Sequence, residues 1–355
     1  MELLIQPGAG STALIEAINN AVKSIEIVIF RIDRQEIEAA LKAAAARGVF
    51  VHALVTYTNR GGEKRLRQLE MRLLEAGVTV ARTAADLIRY HAKLVIIDRR
   101  ILFLLAFNFT SLDIEHSRSF AVVTEDSHFV EEAARLFEAD STRQPYTSRS
   151  DKFIVSPVNA RKELAAFIAG AQKQLLVYDP KIVDIKMIHL LRERAEAGVD
   201  IRVIGRISKR GVTLPARKLQ QLRLHTRTII RDGRWAFIGS QSLRRIELDQ
   251  RREVGVIIDD PKVVDPILTT FEADWVSAES PIEDKQPKPI KKTVKAIIKE
   301  LPPLSPLVKE AVQKVAKQSG SIGLNPETVE ETVREAVKEA VTEGLKEAIK
   351  DAVRD

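Results

Sequence analysis

The sequence repeats one order of short apolar runs and amphipathic stretches in its two halves. The segment "ELLIQP" at 2–7 matches "KFIVSP" at 152–157, and "RGVFVHALV" at 47–55 matches "AGVDIRVIG" at 197–205. In both pairs the second copy follows the first by 150 residues. Apolar runs that alternate with amphipathic helices are typical of parallel strands joined by crossover helices. A repeat this long indicates duplication of a whole lobe, because a solenoid repeats about every 20–50 residues.

The pattern predicts two similar α/β lobes followed by a tail. We place lobe 1 at residues 1–145 and lobe 2 at residues 150–276. The segment 277–304 is proline-broken and rich in lysine, which is typical of a linker. Residues 305–355 are predicted to be a helical tail, with an apolar residue at every fourth position from 329 to 353. Because an isolated helix is marginal in water, we expect the tail to form a homo-oligomer or to dock on the body; a solvated helix is the alternative.

The composition is that of a globular protein, 45% hydrophobic and 30% charged, without cysteine. Disulfides, zinc thiolates and a cysteine nucleophile are therefore excluded, and a reducing, cytoplasmic compartment is expected. The N-terminus, "MELLIQPGAG", lacks the basic and apolar regions of a secretory signal. The most apolar run, at 101–109, is about half as long as a membrane-spanning helix needs to be. We predict no membrane span and leave peripheral contact with a membrane open.

The residues that carry chemistry lie at one matched position in each half. Lobe 1 contains His91-x-Lys93-x4-Asp98, and lobe 2 contains His225-x-Arg227-x4-Asp232. Side chains alternate between the two faces of a strand, so each histidine and the cation two residues later project to the same side. An imidazole beside a cation suits attack on a phosphate, because the cation binds the phosphate oxygens while a ring nitrogen reaches phosphorus.

A purely structural histidine on a strand is the alternative for either copy. The chain has six histidines and 56 lysines and arginines, and a single match to this spacing has odds of roughly a few percent. Two matches at equivalent positions of a duplicated lobe are not explained by chance. We therefore predict that the two motifs are halves of one site. The other histidines are expected to be structural: His52, His116, His128 and His189.

The paired motifs resemble those of the phospholipase D superfamily, in which two HxKxxxxD motifs, one per lobe, meet in a single site. The resemblance covers roughly residues 1–276 and implies two α-β-α lobes with mixed sheets. In that family the motif is usually followed by GS-x-N and, further along, by a glutamate. Lobe 2 has Gly239 and Ser240 at the GS positions, Ser242 at the asparagine position and Glu253 at the glutamate position.

Lobe 1 departs from the family pattern in a complementary way. At the same distances it has Leu105 and Ala106 in place of GS, keeps Asn108, and has Ser119 in place of the glutamate. Lobe 2 in turn has Arg227 where the family has lysine. Arginine keeps the positive charge and can hold a phosphate through two N–H groups, but it is not interchangeable with lysine.

The resemblance implies a two-step phosphodiester transfer through a phosphohistidine, without a metal or another cofactor. We assign His91 as the nucleophile, because its motif is complete, and His225 as the general acid and base. Glu253 is expected to orient a histidine through its ring N–H, with a surface salt bridge as the alternative. Asp98 and Asp232 either orient elements of the site or form structural hydrogen bonds. The residues expected to bind phosphoryl oxygens are Lys93, Arg227, Asn108, Ser240 and Ser242.

Three functions are compatible with the sequence. The first is a phospholipid-directed phosphodiesterase or phosphatidyl transferase, as in phospholipase D and cardiolipin synthase relatives. The second is a nuclease, which the ten lysines and arginines between residues 202 and 234 would suit through counterion release. The third is a non-catalytic descendant that binds phosphate-bearing polymers or membranes. Both histidines are retained beside a cation, which favours catalysis, and the aromatic content of 5% favours a lipid over a nucleic acid.

Overall fold

A computed structural model describes residues 1–57, 63–208 and 213–279 of the chain. The predicted linker beyond residue 279 and the predicted helical tail at 305–355 lie outside the described residues, as does the self-association expected from that tail. No helix among the described residues is long and apolar enough to cross a membrane. Both lobes belong to one compact unit, Met1–Pro281.

Lobe 1 is a mixed sheet with helices packed on both faces. From edge to edge, its own strands in the described chain are β1 (Glu2–Gln6), β8 (Ser117–Thr124), β7 (Ile101–Leu105), β6 (Leu94–Ile97), β2 (Ser24–Ile29), β3 (Phe50–Val55) and β4 (Thr79–Arg82). Its helices in that part of the chain are α1 (Thr12–Asn20), α2 (Gln35–Ala46), α3 (Glu63–Glu75), α4 (Ser111–Glu115) and α5 (Ser127–Thr142). Strands β2 and β3 run parallel and are joined by α2, whereas β2 and β6 run antiparallel.

Lobe 2 repeats this order strand for strand. Its described strands are β9 (Phe153–Val155), β17 (Val254–Ile258), β15 (Trp235–Gly239), β14 (Arg227–Arg231), β10 (Gln174–Ile182), β11 (Asp200–Ile207) and β12 (Ala216–Arg217). Its described helices are α6 (Ala160–Ala169), α7 (Ile185–Glu196), α8 (Arg245–Asp249) and α9 (Pro261–Ser277). Strands β10 and β11 run parallel and β10 and β14 antiparallel. The prediction of two similar α/β lobes with mixed sheets is confirmed.

Apolar packing joins the two lobes into one body. The outer face of each sheet packs on its own helices, around Leu41 of α2 in lobe 1 and Leu191 of α7 in lobe 2. The inner faces share a third core, which contains Leu94 of β6, Ile230 of β14 and the buried apolar residues of α5 and α9. Because removal of apolar surface from water is the main favourable term in folding, this shared core holds the two sheets in a defined relation.

Two short strand pairs connect the lobes. One strand of each pair directly precedes a motif histidine in the sequence. Strand β5 (Arg89–Tyr90) of lobe 1 pairs with β16 (Arg251–Arg252) of lobe 2. Strand β13 (Arg223–Leu224) of lobe 2 pairs with Ser117 and Arg118 at the start of β8. The backbone therefore places both histidines at the boundary between the lobes.

Candidate active site

His91 is held by groups of the opposite lobe. Its backbone N–H donates to the carbonyl of Arg252 at 2.7 Å, and its Nδ1 lies 2.8 Å from Oε2 of Glu253. The buried ring stands edge-on to Phe30, with 4.6 Å between the ring centroids. Burial raises the pKa of Glu253, against the opposing charge of Lys93. When Glu253 is ionised it can only accept, so the contact then places N–H on Nδ1 and leaves the lone pair on Nε2.

Lys93 lies against the same ring. Its Nζ is 2.8 Å from Nε2 of His91 and 2.9 Å from Nδ1. When Nδ1 donates to Glu253, only Nε2 can accept from the ammonium. The side chain is fully buried, and this burial lowers the pKa of Lys93 to about 7, against the opposing effect of Glu253. Lys93 therefore loses its charge near neutral pH unless an anion binds beside it.

His225 occupies the corresponding place in lobe 2, with a weaker partner. Its backbone N–H donates to the carbonyl of Arg118 at 3.1 Å, as that of His91 does to Arg252. Its buried Nδ1 has no hydrogen-bond partner among the described residues. The nearest carboxylate is that of Asp113, with 3.7 Å between Nδ1 and Oδ2. That separation is an ion-pair distance and exceeds a hydrogen bond.

Arg227 turns its guanidinium back onto its own motif. Its Nη1 donates to the backbone carbonyl of His225 at 2.6 Å, and its Nε donates to Oγ of Ser242 at 3.3 Å. Ser242 is fixed in turn, because its backbone N–H donates to Oε2 of Glu247 at 2.8 Å. The arginine that replaces the family lysine is thus positioned by the serine that replaces the family asparagine.

Asn108 and Ser240 lie within the site but make structural contacts. The Asn108 amide donates from Nδ2 to Oδ2 of Asp113 at 2.7 Å. The Ser240 hydroxyl accepts from the backbone N–H of Val254 at 3.1 Å and lies 3.3 Å from the carbonyl of that residue. In this arrangement the side chains orient Asp113 and β17. The second N–H of the Asn108 amide remains able to donate to a phosphoryl oxygen, whereas the single O–H of Ser240 would have to leave the carbonyl of Val254.

Asp98 and Asp232 each directly follow the strand that their motif histidine precedes, so they lie at the opposite end of that strand. Each carboxylate accepts backbone N–H groups at the start of a strand, with the shortest distance 2.7 Å to the N–H of Lys23 and of Lys173 respectively. Both aspartates have left-handed backbone, with φ of 53° and 55°. Lys93 and Asp98 are separated by five residues of mostly extended chain, roughly 16 Å. Both aspartates therefore form hydrogen bonds that hold the backbone at the start of a strand.

Charges of each lobe act on the histidine of the other. Burial is the first cause that lowers the pKa of both histidines well below the usual range. The pKa of His91 is lowered further by Lys93 and by Arg227 of lobe 2. Lys93 in turn lowers the pKa of His225, whereas Asp113 raises it. The charged groups of the two motifs are thus close enough for each lobe to influence the histidine of the other.

Sequence reasoning missed two carboxylates that border the motifs. Asp113 and Glu247 stand five residues after Asn108 and Ser242, and each accepts the backbone N–H of that residue, at 2.9 and 2.8 Å. Burial alone would raise the pKa of Asp113, but His225, Arg223 and the hydrogen bonds of Asn108 lower it overall. The sequence contains this information, because both lobes have an acidic residue five positions after the asparagine position of the family pattern.

An arginine two residues before each histidine was also missed. Arg89 lies in β5 with its Cζ 5.6 Å from the centroid of Phe30. Arg223 lies in β13 and donates from Nη1 to Oδ1 of Asp113 at 2.6 Å. Repetition of arginine at this position was visible in the sequence. No cluster of three or more histidine, aspartate or glutamate side chains in the described part of the chain is arranged to hold a metal ion.

Comparison with solved structures places the fold among known ones. A polyphosphate kinase from Porphyromonas gingivalis is 20% identical, with a TM-score of 0.66 over 77% of this chain and 47% of the kinase. A phosphatidylserine synthase from Haemophilus influenzae Rd KW20 is 11% identical, with a TM-score of 0.64 over 84% of this chain and 92% of the synthase. The chain thus spans about half the length of the kinase. At these identities the likeness shows a shared fold.

Comparison at the level of sequence identifies the family. No curated protein matches the chain. A family described as "Cardiolipin synthase, PLD-like domain" matches residues 14–141 and 164–275, which include both histidine motifs. A match of this kind supports a role in phosphoryl transfer. Because both lobes are matched, the chain belongs to this cardiolipin synthase-like family of the phospholipase D superfamily.

Proposed function

We propose that the protein is a phosphodiesterase or phosphatidyl transferase in which His91 is the nucleophile and His225 the general acid and base. The contact between Nδ1 of His91 and Glu253 carries the proposal. It holds a buried, neutral imidazole with its Nε2 lone pair free of a proton, which is what a nitrogen nucleophile requires.

The reaction proceeds in two displacements at phosphorus. In the first, the Nε2 lone pair of His91 forms an N–P bond while the P–O bond to the leaving alcohol breaks, and the departing oxygen takes a proton from His225. In the second, His225 accepts a proton from water or an acceptor alcohol, whose oxygen attacks phosphorus and releases His91. Division of the transfer into two steps and transfer of protons by a positioned imidazole both lower the barrier.

Lys93 and Arg227 bind the non-bridging oxygens in this proposal. Lys93 faces Nε2 of His91 in the free protein, so it has to move onto the phosphate before that nitrogen can attack. An anion raises the pKa of a buried lysine and of a nearby imidazole. Substrate binding would therefore keep Lys93 charged and would favour the protonated His225 that the first displacement needs.

The substrate class that we propose first is a phospholipid. Ile88 directly precedes Arg89, and Leu112 directly precedes Asp113; these two apolar side chains are 47% and 48% exposed. Apolar groups beside a cationic site suit acyl chains next to a phosphate head group. The second candidate is a nucleic acid, which Arg89 and Arg223 favour, because arginine pairs well with phosphate oxygens.

A substrate comparison tests the proposal. We expect purified protein to release p-nitrophenolate from bis(p-nitrophenyl) phosphate and to cleave phosphatidylglycerol in vesicles, with rates unchanged by EDTA. Faster cleavage of plasmid DNA than of lipid, with a steep fall as salt rises, would select the nuclease instead. Binding of vesicles or DNA without turnover of any of the three would contradict the proposed function and favour the non-catalytic alternative.

The pH dependence of kcat/KM is expected to depend on Lys93. With bis(p-nitrophenyl) phosphate, whose leaving group needs no proton, kcat/KM should fall as pH rises through about 7, because the free enzyme then loses the ammonium of Lys93. His91, whose pKa is lowered, stays neutral throughout this range. Lys93→Arg should remove this fall, since arginine keeps its charge. A profile from about pH 5 to about pH 9 that falls equally in both proteins would contradict this assignment.

A further inference from the structure

The two histidines have matching backbones but different carboxylate partners. In each lobe the histidine N–H donates to the carbonyl of an arginine in the opposite lobe, Arg252 for His91 and Arg118 for His225. The residue after Arg252 is Glu253, which contacts His91. The residue after Arg118 is Ser119, so the carboxylate that would serve His225 in the same way is missing.

The side chains next to this position differ in size between the lobes: each lobe has one long and one short side chain, but in the opposite order along the chain. In lobe 1, the long Gln6 pairs across the sheet with the short Ser119. In lobe 2, the short Ser156 donates its backbone N–H to the carbonyl of the long Glu253 at 3.0 Å. All four side chains are fully buried, and Oγ of Ser119 has no hydrogen-bond partner among the described residues. In lobe 1, therefore, the long side chain stands at position 6 and the short one at position 119, where lobe 2 has its glutamate.

Asp113 supplies a carboxylate to His225 from a different position in the chain. It lies in α4 of lobe 1, is 2% exposed, and its Oδ2 is 3.7 Å from Nδ1 of His225. Both N–H groups of Asn108, main chain and side chain, donate to Oδ2, and Arg223 donates to Oδ1. The carboxylate is therefore fixed and faces Nδ1 of His225, a buried nitrogen without a hydrogen-bond partner among the described residues.

We propose that Asp113 is the positioning residue of His225 and replaces the glutamate that Ser119 lacks. The inference rests on the proposed function, in which His225 transfers protons. Asp113 would take the Nδ1–H of His225 as the site closes on substrate, because catalytic hydrogen bonds are often long in a free enzyme and shorten in the complex. It would then direct Nε2 at the leaving oxygen and stabilise the imidazolium.

Asp113→Asn separates this role from a structural one. Asparagine keeps an oxygen that can accept from Asn108 but loses the charge. We expect steady-state kcat for bis(p-nitrophenyl) phosphate to fall about 100-fold and KM to fall with it, so that kcat/KM, which reports only the first displacement, is unchanged. The first burst of p-nitrophenolate should persist, since its leaving group needs no proton and only the second displacement then depends on His225. An equal loss of burst and turnover, or no loss of either, would overturn the proposal.

A matched control alters the same helix without touching the carboxylate. Oγ1 of Thr110 accepts the backbone N–H of Asp113 at 3.3 Å and caps α4. Thr110→Ala should lower the unfolding temperature slightly and leave kcat unchanged. A comparable loss of kcat in Thr110→Ala would mean that α4 acts through its fold and that the Asp113 carboxylate has no specific role.

The activity lost in Asp113→Asn should be restored by a carboxylate at position 119, which corresponds to Glu253 in the other lobe. Gln6→Ser with Ser119→Glu reproduces in lobe 1 the pair Ser156 and Glu253 of lobe 2. Added to Asp113→Asn, these changes should restore at least part of the lost kcat. Failure of rescue in a protein that unfolds as cooperatively as Asp113→Asn would count against the proposal.

A measurement independent of turnover distinguishes failure of this inference from failure of the proposed function. In ¹⁵N NMR spectra of the full chain with vanadate as the phosphate analogue, recorded at a pH at which the His225 ring is neutral, wild-type His225 should carry its proton on Nδ1. In Asp113→Asn this preference should be lost, while His91 remains unchanged. If no phosphodiester is turned over, the proposed function fails, but this result still decides whether Asp113 positions His225; an identical His225 tautomer in both proteins would refute that role.

Discussion

His91→Ala is expected to abolish phosphodiester turnover, with a loss of kcat on the order of 10⁵-fold or more. Alanine removes the nitrogen that forms the N–P bond in the proposed mechanism, and His225 remains available only for proton transfer. The measurement is release of p-nitrophenolate from bis(p-nitrophenyl) phosphate, with the unfolding temperature recorded in parallel. His128→Ala is the matched control, since that histidine is exposed at the start of α5, and its activity should equal that of the wild type.

His225→Ala is expected to fail at a different step. An activated diester should still transfer its phosphoryl group to His91, because its leaving group departs without a proton, but the intermediate should persist for lack of a general base. Steady-state turnover is then lost while one equivalent of p-nitrophenolate is released. Full activity in either variant would contradict the assignment of the two histidines.

Glu253→Gln is expected to lower kcat by about 10³-fold to 10⁴-fold, as loss of the correct histidine tautomer does in a serine protease. The glutamine amide can donate to Nδ1 of His91, which places the ring proton on Nε2 and removes the lone pair needed for attack. The change also leaves the buried ammonium of Lys93 without a charge that favours it. The measurement is kcat and KM for bis(p-nitrophenyl) phosphate; KM should change far less than kcat.

Asp140→Asn is the matched control for Glu253→Gln. Asp140 is another buried carboxylate that bridges the lobes, with its Oδ1 3.0 Å from Nη2 of Arg252. Loss of its charge should lower the unfolding temperature and leave the His91 tautomer intact, so kcat should stay close to that of the wild type. Equal losses of kcat in both variants would show that the lobe boundary is being loosened and would remove the specific role of Glu253.

The local elements of the fold could be predicted because they depend on neighbours in the sequence. The segment 2–7 corresponds to β1, Glu2–Gln6, and 47–55 contains β3, Phe50–Val55. Within that segment Gly48, with a φ of 86°, turns the chain out of α2 before β3 starts at Phe50. Periodicity records burial, and it does not record the exact residue at which a turn ends.

The site was predictable where spacing along the chain carries the chemistry, and it was not where packing between lobes does. Both motif histidines follow from a repeated spacing, and Glu253 follows from the resemblance to the family pattern. The backbone N–H groups that Asp98 binds lie about 75 residues earlier in the chain, and Asp113 faces a histidine 112 residues later. Contacts over such separations depend on how the sheets meet, which no local pattern contains.

The most direct test of the account is to identify the atom that becomes attached to phosphorus. His225→Ala is mixed with bis(p-nitrophenyl) phosphate, quenched in base within the first turnover, and examined by intact-protein and peptide mass spectrometry. The account predicts one p-nitrophenyl phosphoryl group per chain, located on His91, and none in His91→Ala. A group located on another residue, or p-nitrophenolate release by the wild type without any covalent intermediate in His225→Ala, would contradict it.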